Sequence, residues 1–528
     1  MSTVINIKRE LRPRRNFNNS ISVQKLFRFI RIICSSKGEI MRQIHHAWIA
    51  LSAVVCAIGI NGNVTAAPQE SHSHGATLVA TLDANVFGQM LAAGNPALMQ
   101  IAGAPKCTIS VYSMKYRTVG GAGERTNASG AIMVPSGSDP ACAGPRPVLL
   151  YAHGTTIDKA FNMANISGNP EATIVAAMYA AQGFIVVAPN YAGYDTSALP
   201  YHPYLNANQQ SEDVIDSLQE AHKAFHQFGV NYSRKLVITG YSQGGHVAMA
   251  AQRALQFRHI DDFTVAALAG MSGPYAVSLI GDAIFGGSPD LGGTVFLPLI
   301  TNSWQKAYGN LYHSPSDIYE SLYATGIETL LPSTTPDTIF TLRKLPQLEL
   351  FARDSLPQAP GFSIFFGPGN LIKTSYRNQY LADMVAHPCG TNPAAPLNCN
   401  PANPIRKATV KNDLRNYVPN VPVMLCGGGA DPTVFFASTQ ATAGYFIAHG
   451  MPAAALTVLD VDSAPTGVTD PFAAAKIGFA QAKAATAAAA GIDPVAQAQA
   501  VMVAYHGSLV VPFCMASARA YFQNVLAH

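Results

Sequence analysis

The sequence predicts an α/β fold in which a mostly parallel central sheet is covered by helices on both faces and carries an inserted helical cap. Three observations lead there. Between residues 146 and 271 short apolar runs alternate with longer helical stretches, the rhythm of βαβ units. A Gly-x-Ser-x-Gly pentapeptide, residues 240–244, falls between one such run and the helix that follows. The rhythm stops near residue 275 and resumes only after residue 420, as expected where an insertion interrupts a sheet.

In chain order, CTISVYSMKYRT and ASGAIMVPSG carry β-branched and aromatic residues across a Gly-rich turn, which predicts an antiparallel opening pair. RPVLLYAHG, FIVVAPNYAG, KLVITGYSQGG and FTVAALAGMSG read as strands. Helices are predicted between them in NPEATIVAAMYAAQG, SEDVIDSLQEAHKAF and VAMAAQRAL. After the interruption, VPVMLCGGG, a helix near ASTQATAGYFIAHG, and AALTVLDVD continue the pattern. The core is therefore expected in two parts, residues 67–274 and 411–528, around a cap of residues 275–410. The Ala-rich run 473–500 is a second, smaller insertion, expected as a surface helix of high propensity.

The amino-terminal region reads as leader. MRQIHH from Met41 precedes a 14-residue uncharged run, Ala47–Ile60, and small residues at Val64 and Ala66; together these make a secretory signal peptide, 41–66, with the mature chain from Ala67. Residues 1–40 look like an over-called start. Fourteen apolar residues fall short of the roughly 20 a membrane span needs, and no later segment reads as long and apolar enough. Residues 1–66 hold ten of the 34 basic residues and two of the 30 acidic ones, so the remainder carries 24 basic against 28 acidic. A nucleic-acid partner is not indicated. SHSHG, residues 71–75, reads as a solvated tail.

Beyond the leader lie Cys107, Cys142, Cys389, Cys399, Cys426 and Cys514. An even count in an exported chain predicts three disulfides. Proximity favours Cys107 with Cys142 and Cys389 with Cys399, which leaves Cys426 for Cys514.

Gly240-Tyr241-Ser242-Gln243-Gly244 follows a strand and opens an apolar helix. That context puts Ser242 on a tight turn where glycines at 240 and 244 let strand and helix approach closely. Among the histidines after it, His506 in AYHGSLVVPF is expected in a loop after the last strand, placed to act as base. His246 is held in the nucleophile's own helix, His259 precedes a strand, His313 and His387 fall in the cap, His449 ends a helix and His528 ends the chain. Asp431 in VMLCGGGADPTV follows the penultimate strand and is the expected acid, with Asp460 and Asp462 as rivals. The oxyanion donors are expected to be the backbone N–H groups of Gln243 and Thr155, with His153 serving to stabilise its turn.

With these residues the chain resembles the α/β-hydrolase superfamily. The stretch with Tyr191, Gly193 and His202-Pro203-Tyr204 ahead of GYSQGGHVAMAAQRAL resembles the secretory lipases of the Candida antarctica lipase A type and their bacterial esterase relatives. The resemblance implies a helical lid between the serine and the acid, and serine-catalysed hydrolysis of carboxylic esters. G-Y-S-Q-G also resembles the cutinase motif, so a polyester is an alternative substrate. A peptidase, an acyltransferase and a non-catalytic binding protein on the same fold are the other readings. The expected partner is an ester or lipid, met in solution or at a lipid–water interface, with no cofactor and no metal in the reaction. The expected location is outside the cytoplasm, secreted or periplasmic.

Overall fold

The computed structural model describes residues 75–258 and 262–528. The expected leader, the residues upstream of Met41, most of SHSHG and His259 lie outside the described residues. Among the described residues nine strands form one sheet in the order β1-β2-β3-β5-β4-β6-β7-β8-β9. β2 (Thr108–Val119) and β3 (Arg125–Ser136) are the expected antiparallel pair, and β3 runs antiparallel to β5 (Ile185–Pro189). From β5 through β4 (Arg146–Ala152), β6 (Tyr232–Tyr241), β7 (Thr264–Met271), β8 (Val423–Gly427) and β9 (Leu456–Asp460) every pairing is parallel.

The sequence reading did not include β1 (Ala76–Leu82), antiparallel to β2, or the helices α1 (Ala84–Gly94) and α2 (Pro96–Ala102). β1 pairs on only one side, so its alternation of exposed and buried residues is shallow and gives a weak signal.

Parallel strands buried on both faces explain the near-continuous apolar runs of the middle of the chain. Leu149 and Val237 point into one core, while Val148, Leu150, Leu236 and Ile238 point into the other. Truncating one of the leucines or Ile238 to alanine is expected to cost about 2–5 kcal/mol. The first face is covered by α3 (Pro170–Met178) and the carboxyl-terminal helix, the second by α4 (Ala207–Gln227) and α5 (Gln243–Phe257).

Residues 277–412 add no strand to the sheet. They contribute α6 (Val277–Phe285), α7 (Gly293–Tyr308), α8 (Thr374–Ala386) and α9 (Pro404–Asn412), joined by turns around an apolar core of their own that includes Trp304, Tyr319 and Phe351. Buried Arg406 ties three of these helices together, reaching Asp282 on α6 at 3.0 Å and Asp383 on α8 at 2.7 Å. α10 (Ala437–Ala448) packs behind β8 and β9.

Two expectations need correction at the carboxyl end. The Ala-rich run forms α11 (Ala473–Ala489) and α12 (Pro494–Ala504), and α12 runs without a break through residues 505–510 into α13 (Val511–Ala527). His506 therefore sits on a helical turn and not in a loop. That turn is π-helical. Pro512 has no N–H for the Ser508 carbonyl and its ring crowds that carbonyl, so the turn ahead of it widens while the helix continues. The fused run, Pro494–Ala527, is by length and composition long and apolar enough to cross a membrane, contrary to the expectation that no later segment would be. More than half of its most apolar window is buried inside the fold, where it serves as a core helix.

The cysteines pair as expected: Cys107 with Cys142, Cys389 with Cys399, and Cys426 with Cys514.

Candidate active site

β6 ends at Tyr241 and α5 begins at Gln243, so Ser242 alone makes the turn between them. Its φ of 57° and ψ of −122° lie where a residue with a side chain is strained. The approach is close enough to require glycine on both flanks. A Cβ on Gly240 would stand 2.1 Å from the Gly244 carbonyl oxygen, and one on Gly244 only 1.9 Å from that of Ala152. The Ser242 N–H donates to Met271 O at 2.9 Å, which locks the turn to β7.

His506 comes to this turn from the far end of the chain. Its Nε2 lies 2.9 Å from Ser242 Oγ and its Nδ1 lies 2.7 Å from Asp431 Oδ2. Asp431 is nearly sealed from solvent, and its other oxygen accepts the N–H groups of Thr433 at 2.9 Å and Val434 at 3.1 Å. The capping role and the imidazole contact thus fall on different oxygens of one carboxylate. The Tyr241 hydroxyl donates to the His506 carbonyl, fixing the π turn over the elbow. The rival acids are engaged elsewhere. Asp460 accepts from the Gly429 N–H at 2.7 Å, and Asp462 binds Lys483 and the Tyr505 hydroxyl.

Two other histidines after Ser242 are held elsewhere. His246 is buried on α5 with Nε2 2.9 Å from Asn412 O, and His449 follows α10 with Nδ1 against Tyr445 O.

Gln243 is the first residue of α5, so its N–H has no partner within the helix. Its side chain is pinned by a residue for which sequence reasoning assigned no role: His202 Nε2 lies 2.6 Å from Gln243 Nε2, while His202 Nδ1 faces Ala192 O at 2.9 Å. Burial pushes the His202 pKa down to about 3, which keeps the ring neutral. On the opposite side, the Thr155 hydroxyl lies 2.7 Å from the Tyr204 hydroxyl. Glu171, in the first turn of α3, accepts both the Gly154 N–H at 2.8 Å and the Tyr151 hydroxyl at 2.7 Å. Burial raises its pKa. His153 is wholly buried behind this loop with Nδ1 2.7 Å from Gly154 O and Nε2 3.1 Å from Asn190 O, and burial lowers its pKa to about 4. The sequence signal for these supports was slight: an acidic residue after Asn-Pro, and a histidine, His202, between two tyrosines.

Ser242 and Gln243 open onto a chamber roofed by α6 and α7. Ile280, Phe296, Leu297 and Trp304 make its wall apolar. One carboxyl interrupts it. Asp290 is buried, its Oδ1 has no hydrogen-bond partner, and burial, opposed by its own backbone N–H and reinforced by Asp431, pushes its pKa up to about 7.

A mostly parallel sheet, helices on both faces and a serine on the turn from the central strand to its helix define the α/β-hydrolase fold, and the chain has that fold. A family model described as secretory lipase matches residues 160–284, the segment that carries the elbow and the His202-Pro203-Tyr204 element. Among solved structures, the ligand-bound form of the rice cell wall degrading esterase LipA from Xanthomonas oryzae shares 25% identity, with a TM-score of 0.60, over 82% of this chain and 97% of that one. Candida antarctica lipase A in its closed state shares 12% identity, with a TM-score of 0.45, over 75% of this chain and 81% of that one. No curated protein matches the chain in sequence. The family match and the likeness to the Xanthomonas oryzae esterase support a carboxylic-ester hydrolase of the lipase and esterase type.

Proposed function

We propose that the chain is a secreted serine hydrolase of carboxylic esters that works through an acyl-enzyme on Ser242. The observation that carries this reading is the hydrogen-bonded line from Ser242 Oγ through both ring nitrogens of His506 to Asp431, with spacings of 2.9 and 2.7 Å. Ser242 attacks the ester carbonyl as His506 Nε2 takes its proton, and Asp431 holds the proton on Nδ1 and stabilises the imidazolium. The tetrahedral oxyanion is received by the Gln243 and Thr155 backbone N–H groups, aided by the amino terminus of α5. His506 returns the proton to the departing alcohol, and water repeats the sequence on the acyl-enzyme. The acyl chain lies in the apolar chamber under the cap, which acts as a lid. Three disulfides and the predicted signal peptide support export.

Hydrolysis of p-nitrophenyl esters from C2 to C16 by the wild type beside Ser242→Ala tests this reading. Turnover that disappears in the folded variant is the expected result. Activity confined to aminoacyl or prolyl anilides would overturn it in favour of a peptidase, and turnover that depends on an added alcohol would make the chain an acyltransferase.

A further inference from the structure

Far from the elbow, three side chains converge on one point. His222 and His226 lie one turn apart on α4, on the same face, and Tyr232 opens β6 beside them. The two Nε2 atoms are 3.0 Å apart, and the Tyr232 hydroxyl lies 2.6 Å from that of His222 and 3.3 Å from that of His226. Metal–imidazole bonds of about 2.0–2.1 Å give ligand–ligand edges of about 2.9 Å at right angles and about 3.3 Å in a tetrahedron. The triangle is therefore close to one face of a coordination polyhedron.

The second shell has the matching form. His222 Nδ1 lies 3.2 Å from the Asp262 carboxylate, which draws the proton to Nδ1 and leaves the Nε2 lone pair facing the point of convergence. The tyrosine hydroxyl and an Nε2–H of His226 then compete for that single acceptor. An ion at the centre would satisfy both imidazole lone pairs, with the His226 proton moved to its Nδ1. Phe263 packs on both His222 and Tyr232, so the inner two donors are fixed, and half-exposed Asp262 leaves the outer side open to water. Among the described residues no three of His, Cys, Asp and Glu cluster as ligands; here the third donor is a tyrosine hydroxyl.

We propose that His222, His226 and Tyr232 bind one divalent transition ion of the zinc class, completed by water, which staples the end of α4 to the start of β6. The intervening His222-Lys-Ala-Phe-His226 sequence has no carboxylate between its histidines to act as a base on a metal-bound water. β6 separates the site from the elbow by about 30 Å of strand. The ion is structural, and ester turnover does not depend on it.

The test is titration of the untagged chain with Zn²⁺, followed by calorimetry and thermal unfolding, for the wild type, His226→Gln and Tyr232→Phe. The wild type is expected to take up one equivalent more than His226→Gln and to melt a few degrees higher with the ion, a rise His226→Gln lacks. Tyr232→Phe removes a direct donor and is expected to weaken binding by at least the roughly tenfold lost with an outer-shell partner. Equal stoichiometry and equal thermal response in wild type and His226→Gln would overturn the site. Undiminished affinity in Tyr232→Phe would overturn its three-donor form. His226 is exposed, and unchanged ester turnover in His226→Gln verifies that the variant folds.

Discussion

The buried imidazole of His202 accepts a hydrogen bond from the side-chain amide of Gln243, 2.6 Å away, and so fixes the residue whose backbone N–H faces the proposed oxyanion. Because His202 stays neutral, this support holds across the working pH range. Replacing His202 with alanine frees the Gln243 side chain and loosens the first turn of α5. The expected effect is a fall in kcat of about tenfold or more, below the full loss of an oxyanion donor, with KM nearly unchanged. Gln243→Ala should cost a similar amount, and the double variant little more than either single one, because both break the same contact. Additive losses, or a loss confined to KM, would remove His202 from this role.

Asp431 divides its work between two oxygens, which a single substitution can separate. Asp431→Asn keeps an oxygen for the Thr433 and Val434 N–H groups while removing the charge that faces His506 Nδ1. Thermal stability should change little, while kcat falls by about 10⁴-fold, the scale seen when a triad aspartate is neutralised. Asp431→Ala adds a lost cap, with about 1 kcal/mol of destabilisation. An active Asp431→Asn enzyme would send the acid's role to another residue.

The same residue shows why parts of the site were legible in the sequence. Ser242 and Asp431 follow strands whose apolar runs are unbroken, and glycines mark the sharp turns beside them. His506 was selected for its position after the last strand, yet its local structure was misread. Gly507 and Pro512 suggest a loop followed by a new helix, whereas packing against the sheet carries one helix through both by widening a turn. The supports His202 and Glu171 act through tertiary contacts with residues 41 and 17 positions away, and no local periodicity encodes such pairs.

The Cys426–Cys514 disulfide joins β8, five residues before Asp431, to α13, eight residues after His506. Cross-linking residues 88 apart is worth about 4–5 kcal/mol in the chain-entropy description. It also fixes the two elements that carry the proposed acid and base. Replacing both cysteines with alanine should lower Tm by several degrees and reduce kcat at temperatures where the fold persists. The Cys389–Cys399 bond closes a short loop between α8 and α9, and its removal should leave kcat near the wild-type value. Equal effects of the two deletions on kcat would refute the assignment.

Asp290 makes the enzyme's behaviour near neutral pH testable. The carboxyl loses its proton near pH 3.9 in the unfolded chain, whereas burial in the chamber holds that proton up to about pH 7 in the native state. Between those values the native state binds more protons than the unfolded one, so this group's contribution to stability falls as pH rises. Asp290→Asn removes the penalty. Wild type and variant should differ little in stability at pH 4, and the variant should gain steadily up to about pH 7, by as much as a few kcal/mol. The same ionisation places a charge in the apolar chamber beside Ser242. KM for an octanoate ester should therefore rise from pH 6 to pH 8 in the wild type and stay flat in Asp290→Asn. A stability difference that does not vary with pH, together with parallel KM profiles, would show that Asp290 is not the group titrating in the chamber.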